Sequence, residues 1–347
     1  MPQPPSGDDP SRTETSIHGP SQRILVIKLG ALGDVVQALG PIAAIRRHHP
    51  EAHVTVLTTA PYETLFRASA NVDEIWLDTK PTWTQPGAWL ALRTRLRSAG
   101  FHRVYDLQTS KRSCLYYQLY WPGPYPEWSG IARGCSHPHA NPDRNHMHTA
   151  DRQAGQLFAA GITHVPPSDL FWADSDTRRF DLTEPICLIV PGGAAHRLKK
   201  RWPADHYAAL ATALADRGVT PVLLGADNEA DLLSSIAHAC PAARNLRGET
   251  TFLDLAALAR RAAGAVGNDT GPMHLLAAAG CPSAVLFSAV SDPVLCAPRG
   301  HAVTILRRAE LHTLPVSEVL TALQKIAPAL APLGAKPHPP RHGGSAT

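Results

Sequence analysis

Residues 267–287 read GNDTGPMHLLAAAGCPSAVLF. The apolar run Ala262–Val266 leads into Gly267, and the polar turn Asn268-Asp269-Thr270-Gly271 follows. Pro272 then opens a helix of small residues, Met273–Ala279, and a second strand-like run, Ser283–Phe287, comes after it. Strand, tight turn, helix, strand is the repeating unit of a parallel sheet. Proline suits the first turn of a helix, because its missing N–H would have no intrahelical partner there. The helix therefore points free N–H groups and the positive end of its dipole at the mouth of the turn, which suits an anion such as phosphate. Gly271 lets a ligand approach the backbone, and Asp269 and Thr270 each offer a side-chain oxygen. Taken alone, the same residues also describe a capped helix with no ligand.

The alternation continues outward in both directions. Upstream lie the strand-like runs Ile186–Val190 and Thr220–Leu224, with helical runs Ala204–Arg217, Asn228–Ala239 and Phe252–Arg260. Downstream lie a strand at Ala302–Leu306 and a helix at Pro315–Ile326. The first half has the same grammar. Strands at Arg23–Ile27, His53–Leu57, Glu74–Leu77 and Arg103–Leu107 alternate with helices at Val35–Arg47, Tyr62–Ala68, Pro86–Ala99, Lys111–Leu119 and Asp151–Ala160. This predicts an α/β protein with two doubly wound, Rossmann-like units in tandem and a cleft between them. The expected boundaries are an N-terminal domain at 22–165, a linker at 166–184 opened by Pro166-Pro167, and a C-terminal domain at 185–310. A helical segment at 311–330 is able to pack back on the first domain, and 1–21 and 331–347 read as disordered tails. Residues 121–150, rich in Pro, Gly, His and aromatics, read as one long loop.

A formal charge of +4 and a pI near 8.8 are too weakly basic to argue for a nucleic-acid partner. They fit an acidic small substrate or an anionic membrane surface. The six cysteines form no CxxC pair and no zinc spacing, which favours free thiols in a reducing compartment. There is no apolar signal core and no apolar run of about 18 residues, so a cytoplasmic location is expected.

Four βα turns carry candidate chemistry. The first, Lys28-Leu-Gly-Ala-Leu-Gly-Asp34, lacks GxGxxG, and no acidic residue ends the next strand, so a nicotinamide dinucleotide fits poorly. Asp34 serves either as a helix cap or as a general base at the cleft edge of the sheet. The turn after Val190 places Gly192 and Gly193 before Arg197, Lys199, Lys200 and Arg201, a combination suited to phosphate. Glu229, in the Gly225–Glu229 turn, either meets a ribose hydroxyl pair or complements a helix dipole. The fourth turn is the one quoted first.

In this order and at these intervals, Lys28-x-Gly-x-Leu-Gly-Asp34, Lys200-x-Trp-Pro203, Gly225-x-x-x-Glu229 and Asp269-Thr-Gly-x-x-His274 resemble glycosyltransferase family 9, the heptosyltransferases of lipopolysaccharide core assembly. Asp106-x-Gln108 with Lys111 and Ser113 extends the resemblance, which spans about residues 23–327. It implies a GT-B fold, an acceptor on the first domain, and a nucleotide-sugar, typically ADP-heptose, on the second. It also implies inversion at the anomeric carbon with no metal and no other cofactor. Asp34 falls on the general base, and Lys200 on the lysine that meets donor phosphates and sugar. Asp269, Thr270 and Gly271 fall on the donor turn, Glu229 on the acid near the ribose, and His274 on a residue that orients the turn. Gly192 and Gly193 join the donor side.

The stretch Asn141–His148 is unusually His-rich, and Arg133 and Arg144 near it suit an acidic, phosphorylated glycolipid reached at the inner face of a membrane. With Gly33, Lys111 and Arg112 they complete the candidate acceptor set. Two patterns imitate metal sites. Asp174-Ser175-Asp176 spells DxD but lies in the linker, where a solvated loop is expected, and His137, His139, His146 and His148 fit no standard zinc spacing. Other readings stay open: a different ADP- or UDP-sugar donor, or a non-catalytic nucleotide-sugar or glycan-binding homologue.

Overall fold

The computed structural model describes residues 22–193 and 198–330. Both expected tails and the Ala194–Arg197 part of the basic loop lie outside the described residues.

Two parallel six-stranded sheets are present. The first contains β1 (Arg23–Ile27), β2 (His53–Thr58), β3 (Glu74–Leu77), β4 (Arg103–Asp106), β5 (Glu127–Gly130) and β6 (His137–Pro138), ordered β3-β2-β1-β4-β5-β6. The second contains β7 (Ile186–Val190), β8 (Thr220–Leu223), β9 (Arg244–Asn245), β10 (Gly264–Asn268), β11 (Ser283–Phe287) and β12 (Val303–Arg307), ordered β12-β11-β10-β7-β8-β9. Counted from its own first strand, the second sheet repeats the order of the first. In each, the chain reverses direction across the sheet beside the opening strand, β1 or β7, which is where doubly wound folds place ligands. The central strands RILVI and ICLIV are apolar almost throughout because helices cover both faces of the sheet.

The helices are α1 (Leu32–His48), α2 (Glu63–Arg67), α3 (Pro86–Ser98), α4 (Lys111–Gln118), α5 (Thr149–Ala159), α6 (Ala204–Ala215), α7 (Ala230–Ala239), α8 (Phe252–Arg261), α9 (Gly271–Ala278), α10 (Pro293–Cys296) and α11 (Val316–Ile326). Side chains set several starts. Ser110 and Ser113 form a reciprocal capping box at α4, as do Thr251 and Asp254 at α8.

Three expectations change. Residues 121–150 are not one long loop: β5 and β6 extend the first sheet, with Trp128 fully buried. A four-residue strand flanked by proline and glycine has no periodicity to reveal it. Segment 166–184 is more than a linker, since Leu170, Ala173 and Phe180 are core residues. It crosses α1 so closely that a Cβ on Gly40 would stand 2.2 Å from the Pro166 carbonyl oxygen. The helix within 311–330 does not return to the first unit. Its Val319, Leu320 and Leu323 belong to the core of the second, against β10–β12 and α6. What joins the units instead is α1 against α9, within one apolar cluster that contains residues of both halves.

Candidate active site

The N-termini of α1 and α9 meet. A Cβ on Gly271 would lie 2.7 Å from Leu32 Cβ and 3.2 Å from the Gly33 nitrogen. One on Gly33 would lie 2.8 Å from His274 Cδ2. Gly271 is thus required by the approach of the other unit as well as by any ligand. The N-cap positions are Ala31 and Thr270, and neither supplies a side-chain cap. Two sets of free N–H groups and two positive dipole ends therefore face one region, a strong preference for an anion. His274 lies buried at this joint, its Nδ1 3.1 Å from Gln37 Nε2, which donates to it. Burial pushes the imidazole down to about 4, against the opposing pull of Asp269 and Asp34, so the ring is neutral near pH 7.

Beside the joint lies a pocket of about 640 Å³, lined by Gly192, Gly193, Gly225, Glu229, Thr270 and Gly271, with Gly33 and Tyr62 from the first unit. Tyr62 stacks on Phe252 across the two units, with centroids 6.1 Å apart and planes at 16°. The Glu229 carboxylate accepts from the Gly193 N–H at 2.8 Å and the Ala226 N–H at 3.1 Å. Thr270 Oγ1 is buried without a protein partner. At Asp269, next to Thr270, the turn meets the basic loop: Lys200 Nζ and Asp269 Oδ2 are 2.5 Å apart, with side chains only 13% and 8% exposed. One residue aligns these loops. Asn268, fully buried, donates to the Pro191 carbonyl at 2.8 Å and the Gly192 carbonyl at 3.1 Å. It accepts from the Trp202 N–H at 2.9 Å and the Tyr207 hydroxyl at 3.0 Å. Sequence reasoning treated Asn268 only as part of a polar turn, although an amide beside a strand end is a ready brace between turns.

On the other side of the joint, Asp34 lines a pocket of about 60 Å³ with Lys28, Gln108, Arg144, Arg152 and Gln153. Asp34 is the third residue of α1, and the cap position belongs to Ala31, so the capping role considered for Asp34 is not realised. Lys28 is buried, and its Nζ donates to the Leu107 carbonyl at 3.3 Å. Burial lowers its pKa, while Asp34 and Asp106 pull it back up. Arg144 has buried Nε and Nη2 atoms with no protein partner. The Asp106-x-Gln108 motif shapes this floor. Gln108 Oε1 accepts from the Leu29 N–H at 2.8 Å, tying the β4 turn to the β1 turn. Asp106 accepts from the Gln108 and Thr109 N–H groups at 3.1 and 2.9 Å. Burial raises its carboxyl to about 6 despite these bonds and Lys28.

The acceptor set divides. Gly33 and Arg144 stand at the joint or in the small pocket, whereas Lys111, Arg112 and Arg133 line neither pocket. The Arg112 guanidinium donates to the Pro81 carbonyl and lies 5.7 Å from the Trp89 ring centroid, bracing a loop. Lys28, Arg152 and Gln153 were not among the sequence candidates. Lys28 and Arg152 sit on separate elements, and only the fold brings them to Asp34. The histidines of 137–148 divide their work: His148 Nδ1 accepts from the Ala150 N–H at the start of α5, and its Nε2 donates to the Ala297 carbonyl at 3.0 Å. The DxD-like acids are exposed, as expected of a solvated loop, and each meets an arginine at the surface. Asp174 pairs with Arg260, and Asp176 with Arg178.

Comparison with known proteins follows the same lines. Residues 89–327 match the model of glycosyltransferase family 9 (heptosyltransferase). The chain belongs to this family. The matched span begins after the Lys28–Asp34 turn, so the family model does not cover Asp34. The chain is 27% identical over 322 residues to lipopolysaccharide heptosyltransferase 2 of Escherichia coli strain K12, covering 82% of this chain and 88% of that one. It is 22% identical over 299 residues to the lipopolysaccharide core heptosyltransferase OpsX of Haemophilus influenzae, covering 79% and 81%. Among solved structures, a family 9 glycosyltransferase from Veillonella parvula superposes with a TM-score of 0.76 at 20% identity, covering 88% of this chain and 97% of that one. E. coli ADP-heptose heptosyltransferase II superposes at 0.71 with 23% identity, covering 88% and 98%. The family 9 chain is thus a glycosyltransferase of GT-B fold, with two Rossmann-like units.

Proposed function

We propose that the protein transfers heptose from ADP-heptose to an acidic glycolipid of the lipopolysaccharide core, with inversion and without a metal. The observation that carries this reading is the division at the head of α1: Gly33 faces the 640 Å³ pocket and Asp34 the 60 Å³ one. A donor in the first and an acceptor hydroxyl in the second would meet at one helix terminus. The large pocket has glycine-lined walls that let a nucleotide lie against backbone, and an aromatic pair at its side. Asp34 removes the proton from the acceptor oxygen as that oxygen attacks the anomeric carbon opposite the diphosphate. Lys200 and the N–H groups at the start of α9 stabilise the charge on the leaving ADP. Asp269 holds Lys200 in place before the donor arrives and meets sugar hydroxyls afterwards, since a carboxylate beside a diphosphate would be repelled. Glu229 faces the ribose. Lys28, Arg144 and Arg152 gather three cations around one carboxylate, which suits an acceptor bearing a carboxylate or phosphate. The likeness to heptosyltransferases, one of them solved with ADP, supports this donor.

The test is release of ADP from ADP-heptose in the presence of an inner-core acceptor, beside a thermal-shift panel of ADP, UDP and GDP. Stabilisation by UDP in preference to ADP, or no acceptor-dependent release of ADP, overturns the assignment.

A further inference from the structure

The first unit carries apolar side chains in water along α3. Trp83 is 80% exposed, Trp121 69% and Leu90 60%. Scattered exposed apolar residues are ordinary, but here Leu90 of α3 stands between Trp83, on the loop before that helix, and Trp121, on the loop after α4. Contacts place them together. Trp83 stacks on Trp89 in the first turn of α3, with ring centroids 5.6 Å apart. Leu90 follows, and Arg93 and Arg97 lie one and two turns further on the same stripe. Arg93 donates to the Trp121 carbonyl at 2.7 Å, and Arg97 to the Gly123 carbonyl at 2.6 Å. The strip therefore runs the length of α3, about 20 Å. It starts at the edge of the sheet where the strands end, the same edge that carries Asp34.

The charge around it is one-sided. Residues 79–126 contain seven Lys or Arg and one acid, Asp106, which is fully buried. Among the described residues, Lys80, Arg93, Arg95 and Arg97 form no ion pair with a carboxylate. Arg93 and Arg97 bond carbonyls, so their positive charge is not cancelled, whereas Arg95, 3.9 Å from the Trp76 ring centroid, also feels Glu74. Exposed tryptophans among uncancelled arginines match a membrane interface, where indole rings sit at headgroup level and cations meet lipid phosphates.

We propose that this face docks on an anionic phospholipid bilayer, with Trp83, Leu90 and Trp121 entering the headgroup region and the α3 arginines meeting phosphates. The mouth of the site is then presented to the membrane surface. The proposal rests on the glycolipid-acceptor reading for its purpose but not for its test.

The full chain is floated with vesicles of phosphatidylglycerol and phosphatidylethanolamine, and with vesicles of phosphatidylcholine alone, without donor or acceptor. Binding to the anionic vesicles is expected, with a blue shift of tryptophan emission and weakening as salt rises. The Trp83→Ser/Leu90→Ser/Trp121→Ser variant should partition at least tenfold less, with its thermal shift by ADP unchanged. Equal partitioning of variant and wild type, or no preference for anionic vesicles, overturns the proposal. So does a wild-type dimer that the variant converts to monomer, which would assign the face to a second copy. Vesicle binding that is lost in the variant, together with no heptose transfer, would overturn the heptosyltransferase reading and leave the docking face standing. Transfer to a delipidated acceptor fragment by a protein that ignores vesicles would do the reverse.

Discussion

The β1–α1 turn and the β7–α6 turn hold the same place in two sheets of the same strand order. Their contents are opposite. Around the first, charged side chains close in on Asp34 and leave about 60 Å³. Around the second, Gly192, Gly193 and Gly225 hold the walls back and leave about 640 Å³. One sheet edge gathers charge around a carboxylate, and the other leaves a wide space against backbone. The fold is shared, and the loops assign the work. The contrast is sharpest where the two regions touch, at the heads of α1 and α9.

The severest test removes the charge of the first region while keeping its shape. Asp34→Asn should lower kcat by about 10³-fold, within the usual range for a positioned general base. ADP affinity, measured by calorimetry, should stay near that of the wild type. A variant that keeps full kcat would remove Asp34 from the chemistry.

Next comes the cation of the second region. Lys200→Ala should cost about 3 kcal/mol of transition-state stabilisation, read as a fall of order 10² in kcat/KM. Asp269, at 8% exposure, would also lose its counter-ion, so melting temperature should fall too. If melting temperature falls and kcat/KM per folded molecule holds, Lys200 is only the counter-ion of Asp269.

The joint itself titrates. His274 is held down to about 4 by burial, below the ordinary histidine value of about 6.5. Above about pH 6.5 the ring is neutral in both folded and unfolded chains. As pH falls toward 4, the unfolded chain takes up the proton first, so stability is lost across that window. Denaturant titrations should show the wild type losing about 3 kcal/mol more than His274→Gln between pH 7 and pH 4. Asp106, raised to about 6, works in the opposite sense, its contribution being lost as pH rises through 6. It is present in both proteins, so the comparison isolates the imidazole. Parallel pH profiles would show that His274 is not buried as neutral imidazole.

Much of this arrangement was legible in the sequence. Long apolar strands separated by helical periods announce parallel sheets, and glycine-containing turns after strands announce the cleft edge. Elements without period were not legible. β5 is short, follows a proline and ends in a glycine, and β6 spans two residues, so neither buries a pattern long enough to read. Asp34, Lys200, Asp269 and His274 could be named as candidates because each lies within a turn that has its own local signature. Lys28 was quoted only as the start of such a turn. Arg152, on α5, was not found, since its relation to Asp34 exists only after the chain folds across β4 and α5. The packing of α11 was misjudged for a similar reason: an amphipathic helix states which face it buries but not against which sheet.

The mildest test narrows the second region by one methyl group. A Cβ on Gly192 would stand 1.8 Å from Glu229 Oε1, so Gly192→Ala must push that carboxylate aside. Glu229 would then lose its bonds from the Gly193 and Ala226 N–H groups. A net loss of about 1–2 kcal/mol in stability is expected from these bonds. The clash is with the end of a flexible side chain, so the backbone need not move far. Glu229→Ala alone should cost a similar amount, because it removes the same two bonds. The double variant has neither the clash nor the bonds, so its loss should fall short of the sum of the singles by about 1 kcal/mol. Chemical denaturation of the four proteins measures the coupling. Additive losses would mean that the two residues act apart, and that the open wall of the larger pocket does not depend on a glycine facing Glu229.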